Sequence, residues 1–373
     1  NETLLRVQSE ILCGQKMQLK EQEIKFTILE EVLKQLQQNL TKKVEASEVE
    51  LLTHVRKMDE KLEAPIIYNN NWERRAIESF RDITKREDFL SKYRKLVNGL
   101  DEESVLTIIQ LLKRQIMVIN EKDKKQSIYT KEEQEKIRLL KEDFDSYKLQ
   151  LAENVFAYKQ YLLPINHFEA SVFYYKHGLD YIQDLDQLKN EDIIDVGGFI
   201  GDSCLILSPL TNRKVYTFEA VEENYELLLK TISLNHLENI VPEKLALGAS
   251  DGEIAINVAG SCSSTVSPSA PAIEYQEKVK MTSLDSYLAN RNDINVGLIK
   301  VDIEGAEQEF IKGAIETIRK HRPVLLLSIY HNADDFFQIK PMIENLNLGY
   351  QFKIYNPTDF SISREVLLIA QIT

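Results

Sequence analysis

The sequence predicts an α/β domain built on a doubly wound, mostly parallel sheet, preceded by an all-α region that opens with a long helix. Three observations carry this. The first 160 residues hold only Gly14, Gly99 and Pro65, while 11 glycines and 8 prolines follow. Charge divides at the same place: residues 1–160 sum to zero, so residues 161–373 carry the whole net −13. Beyond Pro164, short apolar runs ending in acidic residues alternate with helix-like stretches, the pattern of βαβ units. A chain of 373 residues with 43% hydrophobic content has room for two domains and a proper core. The reading divides it into 1–64, 65–163 and 164–373.

The opening helix is predicted from Leu5, Leu12, Leu19, Phe26, Leu33 and Leu40, which recur every seven residues, with Leu29 and Leu36 in a companion row. Gln8, Gln15 and Gln22 dilute the first half of this seam. The apolar phase jumps at Val44 and runs on through Leu51, Val55, Met58 and Leu62, as at a stutter. Roughly sixty residues is long for a helix packed on its own domain, so a coiled coil joining copies of the chain is expected. Residues 72–160 read as several shorter helices. Asp101 and Ser104 stand where cap residues belong, ahead of an apolar helix from Val105 to Ile119. Lys122–Lys125 reads as a solvated loop.

In the second part, the apolar strand of Glu191–Val196 carries Asp195 and runs into Gly197-Gly198-Phe-Ile-Gly201-Asp202, where a helix starts. Glycines there let the backbone turn sharply and approach a ligand. A second strand, Lys214–Glu219, ends in an acid 24 positions after Asp195, where a doubly wound sheet presents a carboxylate to ribose hydroxyls. The order of glycines is neither the dinucleotide fingerprint nor a P-loop. An acid directly before the turn suits a cationic ligand such as S-adenosylmethionine better than a pyrophosphate.

Alternation continues with a helix over 222–236, strands over 241–248, 253–258 and 278–282, and a loop at Ser261–Pro271. The strand Val296–Asp302 leads into Glu304 and one helix from Glu307 to Lys320. Pro323–His331 is a strand buried on both faces. A helix opens at Asp334, and Gln351–Tyr355 and Val366–Ile372 close the sheet. Asp195, Glu219 and Asp302 thus end three parallel strands on the edge where such sheets bind ligands, and His331 ends a fourth.

These residues resemble the FkbM-type S-adenosylmethionine-dependent methyltransferases over about 190–373. The resemblance rests on Asp195-Val-Gly-Gly-Phe-Ile-Gly-Asp-Ser, Phe218-Glu219-Ala, Leu245-Ala-Leu-Gly, Ser283-Leu-Asp285 and Ile299-Lys-Val-Asp302-Ile-Glu304-Gly-Ala-Glu307. Tyr330-His331 and the Tyr350–Tyr355 strand are similar to a branch found in bacterial glycan clusters, and the Leu-Asp-Glu-Glu-Ser104 helix resembles a prelude seen before some of these domains. Residues 1–62 have no counterpart in the family core. The resemblance implies the class I (Rossmann-like) methyltransferase fold, with seven strands, and O-methylation of a sugar or natural product.

By position, Asp195, Gly197, Gly198 and Gly201 would surround the methionine part of the cofactor, and Glu219 would hold the ribose. Asp202, where many members have an aromatic residue or Thr, would bind the amino end or cap the helix. His331 is the candidate base, because imidazole titrates near neutral pH. Asp302 competes as base, or orients His331 or Lys300. Glu304 would do either, or join Asp302 on a metal, but no clear His/Asp cluster supports a metal and none is expected.

Other classes stay open. A nicotinamide-dependent oxidoreductase would share the sheet and the ribose acid, and a coiled-coil scaffold would carry a degenerate methyltransferase domain. The −13 charge argues against nucleic-acid acceptors. No run approaches 18 apolar residues and no secretory leader opens the chain. Cys13, Cys204 and Cys262 form no pair. A cytoplasmic homo-oligomer is expected, and a start at Asn1 fits a piece of something longer.

Overall fold

A seven-stranded sheet occupies the centre of the fold. A computed structural model of the chain describes residues 71–119, 129–258, 275–359, 361 and 363–372. The heptad segment 1–62, the Lys122–Lys125 stretch and the Ser261–Pro271 loop lie outside the described residues.

Four helices come first: α1 (Asn71–Thr84), α2 (Phe89–Val97), α3 (Glu102–Ile119) and α4 (Lys131–Asp143). Helix α1 buries Ala76, Ile77, Phe80 and Ile83, one stripe at helical spacing. Asp101 caps α3 by accepting from the Ser104 N–H at 2.7 Å. The Ser104 hydroxyl is not a cap; it accepts the backbone N–H of Ile354, 250 residues on, at 3.0 Å. Thr130 and Glu133 form a capping box on α4.

Where helix was expected up to residue 160, the chain instead forms an antiparallel meander of β1 (Lys148–Ala152), β2 (Val155–Tyr158) and β3 (Tyr161–Leu163). Two-residue loops join the strands, with Asn154 (φ 57°) and Lys159 (φ 51°) left-handed. The β-branched and aromatic run of β2 favours strand, and the low Gly and Pro content of the segment hid it.

The rest alternates as the sequence predicts. In chain order come α5 (Ala170–Phe173), β4 (Asp192–Val196), α6 (Asp202–Leu207), β5 (Val215–Phe218), α7 (Glu222–Leu234), β6 (Ile240–Glu243), β7 (Ala246–Leu247) and β8 (Gly252–Val258). Then follow β9 (Tyr275–Thr282), α8 (Leu284–Leu288), β10 (Val296–Val301), α9 (Glu307–Lys312), α10 (Ile315–His321), β11 (Val324–Ser328), α11 (Ala333–Glu344), β12 (Gln351–Tyr355) and β13 (Leu367–Gln371).

The large sheet has the order β12-β13-β11-β10-β4-β5-β6, and β13 alone runs against its neighbours. This is the class I methyltransferase architecture. Strand order reverses between the parallel neighbours β4 and β10, so the ligand crevice of such a sheet opens there. The predicted strand 241–248 is divided: β6 stays in the sheet, and β7 joins β9 and β8 in a separate three-stranded sheet. The predicted helix 307–320 is likewise broken. The Gly248 carbonyl presses so close to Gly313 that a Cβ there would lie 2.0 Å from its oxygen.

Helices α1 to α3 pack on the sheet domain rather than standing apart from it. The Phe337 ring of α11, fully buried, lies edge-on to Phe89 at 5.8 Å and tilted against Phe80 at 6.3 Å. The Lys340 ammonium, also buried, donates to the Asn98 carbonyl at 2.7 Å just after α2. A single apolar cluster runs from Leu140 and Tyr158 through Leu163 to Ile193 and Leu326, across the compositional boundary at Pro164. Phe337→Ala should therefore loosen both parts together. It is expected to cost about 3–5 kcal/mol, read as one shifted transition in urea denaturation rather than two.

Candidate active site

The turn after β4 is shaped by its neighbours. At Gly197 (φ +82°) a Cβ would lie 1.9 Å from the Asp302 carbonyl oxygen, so only glycine lets β4 and β10 meet. Gly198 and Gly201 answer to packing instead: added Cβ atoms would meet Thr217 at 2.2 Å and Leu228 at 2.7 Å. Beneath the turn, Asp195 is fully buried. Its carboxylate accepts from the Ser203 hydroxyl at 2.7 Å and pairs with Lys300 Nζ at 3.0 Å. Lys300 also donates to the Gly197 carbonyl at 3.1 Å, tying the end of β10 to the turn. Burial alone would lower the Lys300 pKa, but the charges of Asp195, Asp302 and Asp202 more than reverse it, and the ammonium is held above its ordinary value.

At the end of β5, Glu219 binds the same turn from the other side. Its Oε2 accepts from the Phe199 N–H at 2.9 Å and its Oε1 from the Val221 N–H at 2.8 Å. Burial raises its pKa to about 7. Asp202, at the first position of α6, is raised to about 6 by burial and by the nearby Glu169.

A cavity of about 360 Å³ opens over these groups. Of the predicted residues, Gly197, Asp202, Glu219, Lys300, Asp302 and Glu304 line it. Asp195, Gly198, Gly201 and His331 stand behind that lining. The first three were expected to surround the cofactor; here Asp195 pairs with Lys300, and Gly198 and Gly201 let the turn pack against β5 and α7.

The surroundings of His331, the expected base, weigh against that role. His331 is 3% exposed at its side chain, and both ring nitrogens face carboxylates. Nδ1 lies 3.0 Å from Glu307, and Nε2 lies 3.2 Å from Asp302 and 3.7 Å from Glu304. Burial opposes the charged ring, but Glu307, Glu304 and Asp302 raise its proton affinity well above that of a free imidazole. These surroundings favour the protonated ring, which is a poor proton acceptor. Lys300 is committed to Asp195 for the same reason.

Asp302 is the converse case. Burial pushes its pKa up, yet the hydrogen bond and charge of His331, with Lys300, hold it well below the carboxylate range. It too is a weak base, though well placed to orient a donor. Glu304, held at φ 56°, is raised to about 6, chiefly by burial. Of the acids near His331, it combines access to the cavity with a pKa near neutrality.

Several contributors had no role assigned from sequence. Glu307 is fully buried; it accepts from the Ile303 N–H at 2.9 Å, and Asp335, raised to about 7 by burial and then by Glu307, shares a hydrogen bond with it. The Tyr330 hydroxyl donates to Asp302 at 3.3 Å. His167 pairs with Glu169 at 3.3 Å, and Arg364 reaches the same Glu169 at 3.4 Å. All three line the cavity. They come from segments before β4 and after β12, so no local spacing links them. Asp302, Glu307 and His331 present atoms within 4.8 Å of one another, a spacing a metal accepts. Linear sequence showed no such cluster; the fold brings these three residues together.

Replacing Lys300 with Met should strand the Asp195 charge. The expected loss is about 3–5 kcal/mol of stability, measured by chemical denaturation. Asp195→Asn with Lys300→Met together should recover part of it.

Residues 195–352 match the family model described as the methyltransferase FkbM domain. No curated protein sequence matches the chain. Among solved structures, the chain is similar to a methyltransferase FkbM from Methylobacillus flagellatus KT, with 18% identity and a TM-score of 0.49; the match covers 81% of this chain and 61% of that one. It is also similar to an rRNA methylase from Streptococcus thermophilus, at 14% identity and TM-score 0.32, covering 51% of this chain and 92% of the other. A candidate methyltransferase from Streptococcus mutans in complex with SAH matches at 13% identity and TM-score 0.34, over 55% and 98% of the two chains. The family match thus spans the strand ends that carry Asp195, Glu219, Asp302 and His331.

Proposed function

We propose that the chain is an S-adenosylmethionine-dependent O-methyltransferase whose acceptor is a hydroxyl of a sugar or glycan. The observation that carries the cofactor reading is the charge of the cavity. Glu169, Asp202, Glu219, Asp302, Glu304 and Glu309 line it against Lys300 and Arg364, and Lys300 is already paired with Asp195. Such a site favours a sulfonium and an ammonium and opposes the pyrophosphate of a nicotinamide dinucleotide. The apolar wall of Leu245, Leu247, Ile254 and Ile256 suits the flat face of an adenine.

S-adenosylmethionine would supply an electrophilic methyl group. The chain's own part is to hold the ribose through Glu219 and the amino end near Asp202, and to align the acceptor hydroxyl. Glu304 receives the hydroxyl proton, and Asp302, fixed by His331 and Tyr330, orients the acceptor. Carboxylates and phenols of this kind hydrogen-bond neutral polyols well. The net charge of −13 disfavours a nucleic-acid acceptor. Among the described residues no helix is long and apolar enough to cross a membrane. The odd number and wide spacing of Cys13, Cys204 and Cys262 favour the cytoplasm, and the heptad seam of residues 1–62 is the proposed joint between copies of the chain.

The first test is calorimetric titration with S-adenosylmethionine, with NAD in parallel and Glu219→Ala as the comparison. Micromolar binding of the first alone, weakened in the variant, is expected; binding of NAD alone would overturn the reading. With a sugar acceptor in hand, release of S-adenosylhomocysteine should fall as pH drops through about 6, because Glu304 must be ionised to accept a proton. Glu304→Gln should slow turnover about 10²- to 10⁴-fold with cofactor affinity little changed. An unaltered rate would remove Glu304 from the mechanism. Deleting residues 1–62 should lower the mass seen by light scattering.

A further inference from the structure

A second hollow, of about 820 Å³, lies outside the site described above, where α3 and the start of α4 face Tyr174–Tyr181 and the end of β12. Its size falls in the range of small-molecule sites. Two tyrosine pairs dominate it. The rings of Tyr181 and Tyr355 lie 4.7 Å apart, and those of Tyr174 and Tyr175 lie 5.0 Å apart. Tyr181 is 37% exposed, and the Lys353 ammonium stands 5.0 Å from its ring centroid. The close seating of Tyr355 depends on Gly178, where a Cβ would stand 3.0 Å from that ring.

The charges around these rings are spent on one another. Arg114, 4% exposed, pairs with Glu133 and lies over the Tyr129 ring at 5.1 Å. Glu132 pairs with Lys136 at 2.9 Å, and Glu103 with Lys353 at 2.7 Å. Lys131 and Asp180 complete the set with opposite signs. The charged residues that line the groove sum to −1, so it has no positive charge with which to attract a polyanion. It offers aromatic faces for apolar C–H surfaces, beside planar carboxylate and amide edges for hydroxyls. That combination matches the two-sided chemistry of a pyranose ring.

We propose that this groove is a second, non-catalytic saccharide-binding site that holds a neutral sugar unit of an oligosaccharide. It builds on the glycan reading of the acceptor, but its binding requires no methyl transfer. One short segment separates it from the cofactor cavity: Val172 and His177 face the cavity, while Tyr174, Tyr175 and Gly178 face the groove. The sugar chain would thus be gripped by the helical prelude and the catalytic domain together.

Saturation-transfer NMR on the full chain tests this, with methyl glycosides of glucose, galactose, mannose, rhamnose and N-acetylglucosamine as probes and a decaproline peptide as the competing class. At least one glycoside should receive saturation. Tyr181→Ala should reduce that signal at least fivefold, the exposed Asp180→Ala should weaken it, and Glu304→Gln should leave it intact. Loss in Glu304→Gln alone would mean that sugars enter only the catalytic cavity, and would overturn the proposal. A silent panel, or binding of decaproline in place of the glycosides, would also overturn it. S-adenosylhomocysteine titrated into the same sample separates the two readings: its binding beside a silent panel defeats only the groove, and its failure beside a positive panel defeats only the transferase.

Discussion

The ion pair between Asp195 and Lys300 is the constraint on which the site depends. It joins the end of β4 to the end of β10 at the place where the strand order reverses, with both partners removed from water. Such a pair is held by its geometry, and removing one partner is costly because the other charge remains buried. Lys300 also binds the Gly197 carbonyl, so the same ammonium sets the glycine turn. Glu219 secures the turn's far side through Phe199 and Val221. The cavity floor is therefore rigid before any ligand arrives, which is what an alignment-driven transfer needs.

Around His331, acid–base character is divided by environment rather than by residue type. Asp302 and Glu304 are two positions apart and both approach His331. The closer carboxylate takes the hydrogen bond and is held far down, while the farther one, at 3.7 Å, is governed by burial and rises. Buried Glu307 and Asp335 keep the imidazole in place from behind. One histidine thus sets two carboxylates apart in proton affinity, a division useful for separating orientation from proton transfer.

The helical prelude takes part in the catalytic domain. Ser104 accepts from β12, Lys340 reaches back to the end of α2, and Phe80 and Phe89 pack with Phe337. The Tyr129 hydroxyl donates to the Ser361 carbonyl at 2.6 Å, three residues before Arg364, which lines the cavity. The prelude thus supports the loop that carries a cavity residue.

Much of the fold was legible in linear order because strand and helix periodicities are local. Apolar runs ending in Asp195, Glu219 and Asp302 located three strand ends, and the glycine turn located the crevice. The sequence by itself determined the doubly wound sheet and the carboxylates gathered at its edge, since each follows from spacing within a few tens of residues. It misread Lys148–Leu163, where scarce Gly and Pro mimicked helix, and it did not show that Gly313 would break one. Only tertiary structure decided that His331 is enclosed by three acids, that Lys300 is spent on Asp195, and that Glu304 is left as the near-neutral group. Proton affinity depends on burial and on charges brought together from distant segments, and no local pattern encodes either.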